Sequence, residues 1–387
     1  MHDVTGKRPR LALMMGGGGA LAAYQVGAVA ALAEAIPDLH VSILSGVSAG
    51  AINAIALGSR RGSFAARAEG LEQAWLDLTP ERVYQVAARR VWWRAMRWML
   101  RLGGGGLPGP RPRSLLGTAP LRRFLAERFA DDNGRLVGVG ASITSGELDA
   151  VAITASSFTT GKSTTWVEAR DDIAWDRDDR MGRRAALTID HVMASAALPL
   201  LFPAMRVAGE WCGDGGVLLT APLSPAVHLG ADRILAISTR HRGPFDLPVD
   251  DEGYPPPARV AGLLLNAVFL DQFDADALRL ERINRLVAAL PPRSREGLRP
   301  IDLMVLRPSV DLSMLANAHE VDLPWTLRFM TRGLGTKETR HNELLSLLMF
   351  QQSYLRELIE RGRADANAQM PQLRAFVGGD DLSGRAP

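Results

Sequence analysis

The sequence predicts an α/β fold with a mostly parallel central sheet and helices on both faces. Residues 10–15 form a short apolar run typical of a buried strand, and four glycines at 16–19 separate it from a helical pattern over 21–36. A β-branched run at 41–45 follows. A strand, a helix and a second strand in this order make a βαβ unit, in which the two strands are parallel.

The second strand leads into a Gly-x-Ser-x-Gly turn. Gly46, Ser48 and Gly50 occupy its three fixed positions, and a helix of small apolar residues follows from Ala49. Between a strand and a helix this pentapeptide is typical of a nucleophile elbow. The two glycines are expected to supply φ freedom and to leave the hydroxyl uncrowded. Ser48 is therefore the candidate nucleophile, and an ordinary turn is the alternative interpretation of the motif alone.

The glycine loop at 16–19 allows two interpretations. A dinucleotide-binding fingerprint from Gly17 would place its third position on Ala22, but an acidic residue at the end of the second strand is missing. The alternative is an oxyanion hole, in which backbone N–H groups approach a developing negative charge. The loop and the elbow are expected at the same edge of the sheet. The presence of the elbow there favours an oxyanion hole over nucleotide binding.

The N-terminus contains basic residues ahead of an apolar stretch. Lys7, Arg8 and Arg10 precede uncharged residues as far as Ala33, which imitates a signal peptide or a membrane span. The four glycines break this run in its middle and are unsuited to a membrane helix. We therefore expect a cytoplasmic protein without a signal peptide, with attachment to a membrane surface as a further option.

An arginine-rich insertion is predicted at 82–114. Within it, residues 88–102 place four arginines at helical spacing, opposite a face of tryptophan and methionine side chains. These arginines are Arg90, Arg94, Arg97 and Arg101. One interpretation is an interfacial helix that binds anionic head groups. The other is a lid that is packed on the core and exposes its arginines to solvent.

The middle of the chain alternates predicted strands and helices. The tripeptide Gly161-Lys162-Ser163 resembles the end of a phosphate loop. Ser156, however, occupies the position of the first glycine of that motif, and a strand-like run follows. We therefore interpret the tripeptide as part of a hairpin turn. Helices are predicted at 62–78, 120–129, 187–197 and 222–229, and strands at 135–143, 148–154, 206–211 and 233–239.

Asp214 is the second candidate for catalysis. It lies between glycines in a loop ahead of the predicted helix at 222–229, followed by Gly215 and Gly216. An aspartate held in this way can serve as a proton acceptor. An ordinary Asp-Gly turn is the alternative.

The last third of the chain is predicted to be mainly helical after a proline-rich linker at 243–257. A long or broken helix at 258–290 is apolar around most of its circumference and is expected to be packed. The predicted organisation is a catalytic domain at 10–240, a helical region at 257–370 and a disordered tail at 371–387. Further elements are a strand at 301–306 and helices at 323–332 and 337–364.

Composition places the chain in the ordinary globular class. Of its 387 residues, 47% are hydrophobic and 22% are charged, and the formal net charge is only +3. Cys212 is the only cysteine, which excludes an internal disulfide and is compatible with a reducing compartment.

Three motifs follow one another along the chain: Gly17-Gly18-Gly19, Gly46-x-Ser48-x-Gly50 and Asp214-Gly215-Gly216. In this order they resemble the motifs of the patatin-like phospholipase family. Segments 23–27 and 193–199 support the resemblance, which covers residues 10–240. Where the family closes its first motif with glycine or arginine-glycine, this chain has Leu21-Ala22. The resemblance implies a patatin-like three-layer sandwich with a C-terminal helical extension.

The resemblance also implies a role for each motif. Ser48 would be the nucleophile and Asp214 the proton acceptor of a Ser-Asp dyad, while the N–H groups of Gly17, Gly18 and Gly19 would form the oxyanion hole. The substrate would be a phospholipid or another lipid with an acyl ester bond, hydrolysed through an acyl-enzyme. No cofactor, metal or nucleic-acid partner is expected.

Two other hypotheses remain at this point. An α/β-hydrolase esterase would use a Ser-Asp-His triad with His191, His228 or His241, but that fold normally has several strands before its elbow. A non-catalytic membrane-binding protein could keep the same fold. Loss of Ser48 or Asp214 would have indicated it, and the chain has both.

Overall fold

The computed structural model describes residues 9–85, 96, 114–242, 272–316, 318–319 and 343–378. Several predicted features lie outside these residues, so the structure neither supports nor opposes them. They are most of the insertion at 82–114 with Arg90, Arg94, Arg97 and Arg101, the linker at 243–257, the first part of the helix at 258–290, and the helix at 323–332.

The strands of the described chain join in one ten-stranded sheet. Its main path runs in the order β10-β9-β1-β2-β3-β4-β6-β5, and β8 connects β7 to β3. The strands are β1 Leu11–Met15, β2 Ile43–Val47, β3 Ala150–Ser157, β4 Ser163–Ala169, β5 Trp175–Asp176, β6 Arg180–Arg184, β7 Met205–Val207, β8 Glu210–Gly213, β9 Arg233–Ile237 and β10 Asp302–Leu306.

The centre of the sheet is parallel. Strand β1 pairs in parallel with β2 on one side and with β9 on the other, and Met15 lies opposite both Gly46 and Ile237. Strands β3 and β10 extend this parallel set, while β4 returns antiparallel to β3. The predicted βαβ unit and the mostly parallel sheet are therefore confirmed, and so is the hairpin turn, because Ser156 pairs with Ser163.

The helices follow the predicted alternation in most of the chain. They are α1 Ala23–Ala35, α2 Ala49–Ser59, α3 Phe64–Leu76, α4 Pro80–Val83, α5 Ala119–Phe129, α6 Val137–Thr144, α7 Ile189–Ser195, α8 Ser224–His228, α9 Gln272–Ala289, α10 Leu312–Leu315, α11 Glu343–Leu348, α12 Gln352–Ala368 and α13 Met370–Gly378. Single 3₁₀ turns add Gly19–Ala22, Gly215–Val217 and Pro292–Ser294.

Both faces of the sheet are covered by apolar layers. Leu11, Leu13 and Met15 of β1 belong to a cluster that includes α1, α2, α3 and α12. Ala12 and Met14 belong to a second cluster, which includes residues of α8 and α9. Because alternate residues of a strand point to opposite faces, helices lie on both sides of the sheet. The three-layer α/β architecture follows from this arrangement.

Helix α12 packs directly on α1 through two glycines. A Cβ atom on Gly27 would lie 1.8 Å from the carbonyl oxygen of Ile359, and one on Gly362 would lie 2.0 Å from that of Tyr24. The two helix backbones are therefore in contact. Together with the pairing of β10 with β9, this contact joins the C-terminal helices to the same core as the N-terminal unit.

The predicted strand at 135–143 is wrong, because residues 137–144 form helix α6. The alternating Val-Gly-Val-Gly sequence imitates the period of a strand. Its buried residues are Val139, Ser142 and Ile143, which recur at helical spacing. A Cβ atom on Gly138 would lie 2.1 Å from the carbonyl oxygen of Ser59, so this glycine allows α6 to pack against the end of α2.

Three C-terminal predictions also need correction. Helix α9 is packed on one side only, because Leu278 and Leu286 are exposed. The predicted helix at 337–364 is divided in its described part into α11 and α12. The predicted tail does not begin at 371, since Leu373 and Phe376 of α13 are buried in the first cluster. Among the described residues, no helix has the length and apolar character needed to cross a bilayer.

Replacing Gly362 with Ala is expected to lower the free energy of unfolding by about 1–3 kcal/mol, the range typical of overpacking. The new methyl group would have to displace α12 from α1. Urea unfolding measures the effect. Gly378→Ala is the matched control, because a Cβ atom at that position meets nothing within 4 Å. Equal stability of the Gly362→Ala protein and the parent would contradict the direct backbone contact.

Candidate active site

Ser48 lies at the sharp turn between β2 and α2. Its backbone has φ 56° and ψ −127°, a conformation that is strained for a residue with a side chain. The residue is buried, with 3% of its surface exposed. This is the strained strand-to-helix turn predicted from the pentapeptide.

Gly46 and Gly50 have a different role from the one predicted. Neither has a positive φ, because the strained conformation falls on Ser48 itself. A Cβ atom on Gly46 would lie 2.4 Å from the carbonyl oxygen of Gly50, and one on Gly50 would lie 2.2 Å from that of Met15. Both glycines are therefore required by close backbone packing, which brings α2 against the ends of β2 and β1.

Asp214 is hydrogen-bonded directly to Ser48. The Ser48 hydroxyl donates to Oδ2 of Asp214 at 2.6 Å, and the N–H of Gly216 donates to Oδ1 at 2.9 Å. The N–H of Asp214 donates to the carbonyl of Ala197 at 2.9 Å. A Cβ atom on Gly215 would lie 2.2 Å from the carbonyl oxygen of Thr154, so this glycine allows the loop to lie against β3. The fold thus brings together two candidates that are 166 positions apart.

The Asp214 carboxyl is completely buried. Burial raises its pKa from 3.8 to about 7, although the hydrogen bonds from Ser48 and Gly216 act in the opposite direction. A carboxylate with a pKa near neutrality is a much stronger proton acceptor than an exposed one. The site therefore contains a hydroxyl and a base suited to remove its proton.

Ser195 is a site residue that sequence reasoning did not single out. Its hydroxyl accepts a hydrogen bond from the N–H of Ser48 at 2.9 Å and donates to the carbonyl of Thr154 at 2.6 Å. It therefore holds the strained backbone of the elbow against β3. The only feature of the sequence that could have indicated this role is the position of a hydroxyl residue at the end of helix α7.

The glycine loop lies beside Ser48. A Cβ atom on Gly17 would be 3.1 Å from the Cβ atom of Ser48, so a side chain at this position would press against the serine. Gly18 and Gly19 have positive φ values of 141° and 55°. Among the described residues, no acceptor binds the N–H of Gly17 or Gly18. These two N–H groups are available to a ligand.

The Leu21-Ala22 departure does not open the loop. Both residues are buried in the first apolar cluster. The N–H of Leu21 donates to the carbonyl of Gly18 at 3.0 Å and so closes the 3₁₀ turn that follows the loop.

The three candidate triad histidines have other partners. His191 caps helix α7 with Thr188, and burial lowers its pKa to about 4. His228 stacks on Trp175, and His241 is hydrogen-bonded to the carbonyl of Pro308. Within the described chain, no hydrogen bond joins a histidine to the Ser48 and Asp214 pair, and no three His, Cys, Asp or Glu side chains are grouped to hold a metal ion.

Solved structures with similarity to this chain share little of its sequence. Human GIVD cytosolic phospholipase A2 in complex with methyl gamma-linolenyl fluorophosphonate is 13% identical with a TM-score of 0.46, over 96% of this chain and 59% of that one. VipD from Legionella pneumophila is 13% identical with a TM-score of 0.34, over 95% of this chain and 67% of that one. The type III effector protein ExoU is 14% identical with a TM-score of 0.35, over 95% of this chain and 53% of that one.

This chain therefore spans about three fifths of the length of the human phospholipase. None of the curated protein sequences matches it. The sequence model of the patatin-like phospholipases, in contrast, matches residues 13–227. Because this range is more than half of the chain and contains both Ser48 and Asp214, the protein belongs to the patatin-like phospholipase family.

Proposed function

We propose that this protein hydrolyses acyl ester bonds of phospholipids or related lipids, with Ser48 as nucleophile and Asp214 as general base. The observation that carries the proposal is the 2.6 Å hydrogen bond from the Ser48 hydroxyl to a carboxyl that is completely buried. Membership of the family supports a lipid as the substrate.

The reaction begins when the Ser48 hydroxyl attacks the ester carbonyl and transfers its proton to Oδ2 of Asp214. The tetrahedral intermediate then expels the alcohol, which takes the proton from Asp214 and leaves an acyl group on Ser48. A water molecule attacks the acyl-enzyme and gives its proton to Asp214. Collapse of this second intermediate releases the fatty acid and returns the proton to Ser48.

The negative charge that develops on the carbonyl oxygen needs hydrogen-bond donors. The N–H groups of Gly17 and Gly18 have no acceptor in the described chain, and Gly17 lies next to Ser48. Donors held in place before the reaction stabilise the transition state without reorganisation. Helix α2 begins at Ala49, so its positive end adds to the same stabilisation.

A membrane-facing role for residues 88–102 is a further part of this proposal. Its support is the sequence pattern, in which the arginines form one face and tryptophans lie on the opposite face. An anionic lipid surface is the partner whose charge matches this face. It would bring the protein to the surface that contains its substrate.

The alternative of a non-catalytic protein explains the site less well. Burying an ionisable carboxyl without a cationic partner destabilises the folded state, and the raised pKa of Asp214 reflects this penalty. An asparagine could fill the same place without ionising, with its oxygen accepting from the N–H of Gly216 and its amide donating to the Ser48 hydroxyl. A direct bond from the carboxyl to a strained serine is expected where a proton must be moved.

Ser48→Ala is expected to lower the hydrolysis of short acyl esters and of phospholipids to background, because the variant lacks the hydroxyl that is proposed to form the acyl-enzyme. A fluorophosphonate probe should label the parent protein on the peptide that contains Ser48. Circular dichroism serves as the control for folding. Retained hydrolysis by a folded Ser48→Ala protein would refute the proposed nucleophile.

Asp214→Asn is expected to reduce kcat about as severely as Ser48→Ala, since residues of one catalytic unit are non-additive. The matched controls are His191→Gln, His228→Gln and His241→Gln, which should retain most of the activity if they fold. Steady-state kinetics on one ester substrate compares them. A histidine variant as inactive as Asp214→Asn would support the triad and contradict the dyad.

The pH dependence of kcat/KM should report the ionisation of Asp214. The base must be deprotonated, so kcat/KM is expected to rise about tenfold per pH unit at low pH and to level off above an apparent pKa of about 7. Because folding raises this pKa, protonated Asp214 contributes to the free energy of unfolding at low pH. This contribution is lost as the pH rises through about 7. An activity plateau that extends down to pH 5 would contradict a buried carboxyl base.

A further inference from the structure

The carbonyl groups of the glycine loop are held by two buried side chains. Gln25, on helix α1, donates from Nε2 to the carbonyl of Gly16 at 2.9 Å and to that of Ile237 at 3.2 Å. The Thr239 hydroxyl, just after β9, donates to the carbonyl of Gly17 at 2.9 Å. Both residues are buried, and Gln25 has no exposed surface.

These two bonds determine where the neighbouring N–H groups point. In a trans peptide unit, the carbonyl of one residue and the N–H of the next point in opposite directions. A bond to the carbonyl of Gly16 therefore directs the N–H of Gly17 away from Gln25. The bond from Thr239 to the carbonyl of Gly17 directs the N–H of Gly18 in the same way.

Such restraint is needed because the loop consists of glycines. Glycine has wide access to φ and ψ, and the peptide units of four consecutive glycines can rotate at little steric cost. Thr239 also limits this freedom by contact, because a Cβ atom on Gly18 would lie 2.8 Å from its hydroxyl oxygen. Without the two donors, the N–H groups of Gly17 and Gly18 would sample several directions.

Gln25 is itself held by a chain of buried hydrogen bonds. Its Oε1 accepts from Nδ2 of Asn53 at 2.9 Å, and Oδ1 of Asn53 accepts from the indole N–H of Trp75 at 2.6 Å. The indole can only donate, so it sets the orientation of the Asn53 amide and, through it, that of Gln25. Because Asn53 lies on α2, the chain also links the glycine loop to the helix that follows Ser48.

We infer that Gln25 and Thr239 are positioning residues that aim the N–H groups of Gly17 and Gly18 at the oxyanion. The inference rests on the proposed function. Both side chains donate to carbonyl groups of the protein, so their proposed action on the substrate runs through the glycine loop. Their effect falls on the transition state, because the oxyanion exists only there and in the intermediates that resemble it.

The test compares Thr239→Val, which keeps the shape of the side chain but removes the donor, with Thr239→Ser, which keeps the donor. Thr239→Val is expected to lower kcat about 10- to 100-fold with little change in KM, below the loss that removal of an oxyanion donor itself causes. Thr239→Ser should recover most of the loss. Gln25→Met, which removes both Nε2 donors, should behave like Thr239→Val.

Thr164→Val is the matched control. Thr164 is a buried threonine of β4 whose hydroxyl has no partner in the described chain, so this change is expected to leave kcat at the parental value. A second readout is the affinity of a trifluoromethyl ketone analogue, which forms a tetrahedral adduct with an activated serine. Its affinity should fall in parallel with kcat for Thr239→Val and stay constant for Thr164→Val.

The outcomes separate the two proposals. A parent protein without hydrolysis or labelling at Ser48 would refute the proposed function. An active parent with parental kcat and ketone affinity in a folded Thr239→Val protein would overturn the positioning role alone. A 10- to 100-fold rise of KM with unchanged kcat in Thr239→Val would also overturn it, because that pattern indicates a loss of binding that is equal in the ground state and the transition state. If Gln25→Met does not fold, the comparison of Thr239→Val with Thr239→Ser still tests the positioning role.

Discussion

The backbone of helix α2 lies directly against the carboxyl end of β1, and the geometry of the site depends on this contact. It exists because Gly50 has no side chain to separate the two elements, and Gly46 permits the matching contact between β2 and α2. With α2 in this position, the chain must turn so sharply at Ser48 that the serine takes a positive φ. The same contact places the hydroxyl beside the glycine loop. Close packing of backbones thus produces the strained conformation of the serine that we propose as nucleophile.

Asp214 adds an electrostatic constraint to this packing. Its loop lies against β3 because Gly215 has no side chain, and the carboxyl is thereby removed from water. The burial that raises its pKa, and so suits it to the proposed role of base, also destabilises the folded protein at pH values above that pKa. The apolar layers on the two faces of the sheet offset this penalty. The buried carboxyl that the proposed reaction needs therefore depends on the stability of the core around it.

The C-terminal helices support the site although they lie beyond the matched range 13–227. Helix α12 contacts α1 through Gly27 and Gly362, and α1 carries Gln25 two positions before Gly27. In α11, the carbonyl oxygen of Leu347 would lie 2.3 Å from a Cβ atom on Gly19. The segment that follows the last parallel strand thus packs against both the glycine loop and the helix that holds it. The loop is supported from the core and from the C-terminal helices at once.

The βαβ unit, the elbow and the candidate pair Ser48 and Asp214 could all be predicted from the sequence, because local residue patterns encode strands, turns and their order. It did not reveal why Gly46 and Gly50 are glycines, since the answer lies in contacts with other elements. The Val-Gly repeat at 137–140 imitates a strand, but in the folded protein it belongs to a helix whose buried residues face the core and whose Gly138 packs on the end of α2. The pKa of Asp214 and the bonds of Gln25 were likewise decided by tertiary structure, because burial and orientation arise from residues that are distant in the chain.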